Sequence, residues 1–191
     1  MTESLSRRRL LTFAAGGAAV AALPVRPAFA ATDEDLAYAN FAVSGELLLE
    51  DLYRNALGAN SVSDPGRAAL RNGRRAAIQH ARALSGLLTG AGQDAPTAQD
   101  FDFQWPTKAF ATPAAIASTG RTVLRTMLGL YQTAVVAVSD PGHRILYASL
   151  AGSAGRQLGA LTALAAGGVV EPFPVALDLE SASGALERYL G

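Results

Sequence analysis

The chain has 191 residues, 16 basic and 16 acidic side chains, two histidines and no cysteine. That length holds one domain with a proper core. The missing cysteine excludes a disulfide framework, a thiolate zinc site, an iron–sulfur cluster and a cysteine nucleophile. Alanine and leucine dominate the apolar half of the composition, which favours helices over sheet.

Residues 1–30 read as a signal peptide. Arg7, Arg8 and Arg9 precede an apolar run from Leu10 to Leu23, and Ala28-Phe29-Ala30 gives a small-x-small cleavage pattern after Ala30. The paired arginines followed by Leu10 and Leu11 predict twin-arginine export to the periplasm, cell envelope or exterior. Those 14 residues fall short of the roughly 20 that span a bilayer, so no stable membrane insertion is expected after cleavage. Without the leader, 12 basic face 15 acidic residues, a net charge of −3. A mildly acidic chain has no general attraction for nucleic acid.

Residues 31–191 then predict four long helices. The first has Asp33 as cap and runs to about Leu57, with an apolar stripe through Leu36, Val43, Leu47 and Leu57. "SDPG" starts a second with Asp64 as cap and Pro65 at the first helical position, ending near Thr89. Thr112 and Pro113 start a third that runs to about Val138, and Asp140 and Pro141 a fourth that runs to about Ala166. The linker from about Ala91 to Ala111 contains "DFDFQWP", which has no helical period, and its aromatic residues are expected to cover an end or flank of the helices. The tail predicts an extended, proline-bearing segment and a short last helix.

"DLAYANFAVSGELLLEDLYRNALG" resembles the opening helix of exported ferritin-like proteins related to plant desiccation proteins, with Asn40, Phe41, Ala42, Glu46 and Tyr53 in place. "QHARALSGLLTGAG", "FDFQWP" and "GLYQTA" resemble later parts of the same family, with His80 and Tyr131 in register. The resemblance implies an all-α, ferritin-like four-helix bundle of two antiparallel hairpins joined by a long crossover. It also implies a di-iron site built from a carboxylate on each of two helices and a Glu-x-x-His pair on each of the other two. Glu46 and His80 remain as vestigial metal ligands. Ala77, Leu124, Ala154 and Gln157 stand where the others are expected. No Asp or Glu lies between Asp64 and Asp94, between Asp102 and Asp140, or between Asp140 and Glu171, so this gap does not depend on alignment.

If the helices align as the resemblance implies, Glu46, His80, Arg125, Tyr131 and Gln157 form a polar core cluster, with a Glu46–Arg125 ion pair in place of metal. Glu50 and Asp51 read as surface acids, His143 as solvated, and Arg71, Arg74, Arg75 and Arg82 as a solvated face. The spacing around Ser153 lacks a nucleophile elbow, and no catalytic residue or cofactor is assigned. The expectation is an exported, non-enzymatic binding or structural protein with an unidentified protein or small-molecule partner. Two alternatives stay open: a residual metal site for iron or manganese on Glu46 and His80, and a metal-independent enzyme using the polar core.

Overall fold

The computed structural model describes residues 31–165 and 174–191, so the leader expectation lies outside the described residues. Among them all regular structure is helical: α1 (Asp33–Gly58), α2 (Gly66–Gly90), α3 (Pro113–Ala137), α4 (Pro141–Leu164) and α5 (Leu179–Leu190), with one short 3-10 turn at Ala98–Asp100.

The caps follow local chemistry, with two corrections. Thr112 and Asp140 cap α3 and α4, accepting from the backbone N–H of Ala115 (3.1 Å) and His143 (3.0 Å). The cap of α1 is Thr32 rather than Asp33. Its hydroxyl accepts from Asp35 N, and the Asp35 carboxylate accepts from Thr32 N, a reciprocal box that Asp33 has no partner to form. Asp64 does not cap α2 at all, because its carboxylate turns to Arg71 (3.3 Å), and Pro65 stands at the cap position without a side-chain bond. Gly92 ends α2 with φ +77. Its N–H reaches Thr89 O and the next reaches Leu88 O, a left-handed stop that a residue without a Cβ adopts freely.

α1 packs along α2 and α3 along α4, giving the two hairpins, while α1–α3 and α2–α4 contacts join them. Asp35 meets Ser139 and Gly45 meets Met127, while Leu52 lies against Gly120, so α1 and α3 run antiparallel. α1 is the central helix. It is buried at 15 of its 26 positions, including Leu48, Leu49, Leu52 and Tyr53, so it is covered on almost every side. This corrects the expected stripe: Leu47 and Leu57 sit at the flank, partly exposed.

Covering that helix takes two further layers. The crossover lies extended, with Phe101, Phe103 and Trp105 half-buried and Asp102 and Gln104 exposed, the alternation of a strand without a partner strand. Phe103, Trp105 and Phe110 pack on the core. α5 packs beside the crossover against α1 and α3, its Tyr189 carbonyl accepting from Gln104 N–H at 2.9 Å, and Leu177 N–H bonds Gly129 O at 3.0 Å. A Cβ on Gly129 would stand 2.7 Å from the carbonyl oxygen of Val175, so the tail's approach needs glycine there.

Candidate functional site

The interior polar cluster begins on α1. Glu46 faces the bundle axis with 2% of its side chain exposed. Its Oε1 accepts from Tyr131 Oη of α3 at 2.6 Å and contacts His80 Nδ1 of α2 at 3.0 Å. A carboxylate only accepts, so Nδ1 carries the proton in this contact. Oε2 is buried and takes no protein donor.

Gln157 of α4 belongs to a neighbouring group. Its Oε1 accepts from Tyr53 Oη at 2.7 Å, and its Nε2 reaches only Ser153 Oγ, at a long 3.4 Å. Tyr53 lies two turns along α1 from Glu46, and the Glu46 charge acts on its hydroxyl. A Cβ on Gly73 would stand 2.5 Å from the Tyr53 ring, so glycine on α2 admits that ring between the helices.

Arg125 is a correction. It is exposed and takes no part in the Glu46 cluster, because its neighbour Leu124 takes the inward position with no exposure. Tyr131 and His80 hold the carboxylate that an ion pair with Arg125 was expected to hold.

Asp51 is a second correction. It is 5% exposed and accepts from Trp105 Nε1 and Asn55 Nδ2, each at 2.7 Å, with Arg54 also on its carboxylate. It is therefore the anchor that pins the crossover to α1. Glu50 pairs with Arg74 (3.1 Å) at the surface, and Arg75 and Arg82 are exposed. His143, in the first turn of α4, is half-buried with an unpartnered Nδ1, against the expected solvated side chain.

A third set lies towards the start of α1. The Tyr147 ring tilts against Tyr131 (centroids 6.1 Å apart), and its hydroxyl is buried without a partner. Asp35 nearby is pushed up by burial, but hydrogen bonds from Ser139 and Thr32 outweigh this and hold its carboxyl below the usual range.

A family model for the ferritin-like domain matches residues 34–166. The chain belongs to the ferritin-like domain family. Neither a curated protein nor a solved structure matches it.

Membership of the ferritin-like family raises the fit of a di-iron centre, and these residues do not fit one. Ala77 and Leu124 are fully buried and Ala154 nearly so, all without a donor atom, and the Gln157 oxygen already accepts from Tyr53. Among the described residues no three His, Asp or Glu side chains come together at one point. The free Oε2 of Glu46 and one imidazole offer two donors where such cations take four or more.

What the cluster does instead is fix three tyrosines as neutral donors or ring surfaces. Burial first, then the Glu46 charge, raises the hydroxyls of Tyr53 and Tyr131; burial first, then Asp35 and Tyr38, raises that of Tyr147. A raised tyrosine stabilises the fold in full below the ordinary value near pH 10, and that stability is lost as pH rises beyond it. Three such groups give a loss of about 4 kcal/mol per pH unit above roughly pH 10, at ~1.4 kcal/mol each. Tyr38, raised by burial and by Glu34 and Asp178, adds in the same direction. Urea titrations between about pH 10 and 12 measure this slope. Tyr147→Phe removes an unpartnered hydroxyl, so it is expected to be neutral at pH 7 and to reduce the slope by ~1.4 kcal/mol per unit. An unchanged slope in that variant means that Tyr147 ionises freely in the folded protein.

Proposed function

We propose that the chain is an exported ferritin-like bundle without a working di-iron centre, acting as a non-enzymatic binding or structural protein outside the cytoplasm. One observation carries the reading: Glu46, the surviving ligand carboxylate, is held by Tyr131 and His80, while Ala77, Leu124, Ala154 and Gln157 occupy the other ligand positions. Residues 1–30, with their arginine cluster and Ala28-Phe29-Ala30, support export by the twin-arginine route. No described helix is long and apolar enough to cross a membrane. The mature chain's mild acidity supports a protein or small-molecule partner over nucleic acid.

The unpartnered Oε2 favours one rival, a single weak metal on Glu46 and His80 completed by outside donors. Elemental mass spectrometry of the protein, produced with its leader in an exporting host, separates the two. Near-zero iron, manganese and zinc per chain is expected. About one metal per chain, lost on replacing His80, overturns the proposal in favour of the rival.

A further inference from the structure

The two hairpins meet loosely where α2 faces α4, and the gap between them is a cleft of about 340 Å³. Its walls are small: Gly73 and Ala76 on α2 leave room that larger side chains would close, and the Tyr53 ring lies directly beneath Gly73. Its floor is polar and buried. The Gln157 side chain lines it, with Oε1 taken by Tyr53 and its amide N–H groups met only by the long 3.4 Å contact to Ser153. At the rim stands exposed Arg156, for which no described carboxylate forms an ion pair.

The electrostatics of the walls point one way. α2 carries five arginines and α4 two, neither helix contains an Asp or Glu, and Arg156 is the one charged residue that lines the cleft. Arg71 and Arg74 find acids outside their own helix, at Asp64 and Glu50. With no acid on either helix, Arg156 sets the sign of the field at the opening and favours an anion there, since low-dielectric walls focus that field. A volume near the lower end for ligand sites, mostly apolar with a few convergent polar groups, suits a small molecule rather than a peptide.

We propose that this α2–α4 cleft binds a small organic carboxylate with an apolar body, its carboxylate on Arg156 at the rim and its body against Gly73, Ala76 and the Tyr53 ring. The Gln157 amide offers a hydrogen bond at the inner end. The Glu46 charge behind Tyr53 disfavours the opposite orientation, with the carboxylate inward. This rests on the reading of the chain as a binding protein and gives that reading a site and a ligand class.

The test uses benzoate as probe, with its neutral isostere benzamide, on the 15N-labelled mature protein. Benzoate is expected to shift the amides of Gly73, Ala76 and Gln157 with a Kd on the order of millimolar. Arg156→Gln, a surface change that keeps the fold, is expected to raise that Kd about tenfold, and benzamide to bind weaker by a similar factor. Ala76→Leu is expected to abolish the shifts by filling the cleft. Benzoate that leaves the cleft amides unmoved, or binds equally well to the Arg156→Gln protein, overturns the proposal. So does benzamide binding as tightly as benzoate. Metal content of the same sample keeps the two ideas apart: a metal-loaded protein that binds benzoate refutes the function reading alone, and a metal-free protein that does not bind it refutes the cleft alone.

Discussion

Glu46→Ala is expected to lower the unfolding free energy by about 4 kcal/mol, roughly a 10 °C fall in Tm for a chain of this size. Two costs combine. The Tyr131 hydroxyl has no exposure and loses the acceptor it has among the described residues, and the lost carboxylate leaves a hole beside Tyr131 and His80. His80 is less affected, because 17% of its side chain reaches solvent. Tyr131→Phe alone leaves Oε1 with His80, a loss of about 1–3 kcal/mol. In the double variant the two costs should fall short of their sum by more than 1 kcal/mol, the signature of a direct contact. Thermal and urea unfolding followed by circular dichroism provide the measurement. A loss below ~1 kcal/mol for Glu46→Ala means that water reaches the carboxylate and that the cluster is not sealed.

The second large effect lies outside the bundle axis. Asp51→Ala is expected to cost about 2–4 kcal/mol, because it strands the Trp105 indole N–H, removes one of the two acceptors of the Asn55 amide and leaves only its bond to Asp51 O at 2.9 Å, and takes away the carboxylate on Arg54. Trp105→Phe removes one donor and keeps the ring's packing, so it should cost less, about 1–2 kcal/mol. The ordering of the two variants is the informative result. If Trp105→Phe proves as costly as Asp51→Ala, the indole bond alone holds the crossover, and Asn55 and Arg54 contribute nothing to it.

The sequence carried the helices and the hairpin connectivity because caps, prolines and apolar spacing are local signals. Thr32 and Asp33 are equally good cap residues by type. Only Asp35, three positions beyond Thr32 and able to bond back, decides between them. The Glu46–His80–Tyr131 contact needed three helices in one register, and only the family resemblance supplied it. Arg125 was legible as an outsider: Leu124 and Tyr131 are seven residues apart and share a face, which places Arg125 about 100° away from it. Asp51 was not legible. It lies five residues from Glu46, well round the helix, and its main partner is 54 positions distant in a segment without helical period. The orphan hydroxyl of Tyr147 had no sequence signal either, since nothing local distinguishes a buried tyrosine with a partner from one without.

The chain has a single tryptophan, and it stands where three segments converge. Trp105 donates to Asp51 of α1, its ring lies 5.4 Å from that of Tyr189 in α5, and Phe110 meets it edge-on at 5.6 Å. Its emission therefore follows the docking of the crossover and the last helix, whereas the far-ultraviolet signal follows the four long helices. The protein thus carries its own optical reporter for the outer layer. Two curves that part company on denaturation identify a state in which the bundle stands while its wrapping has come away.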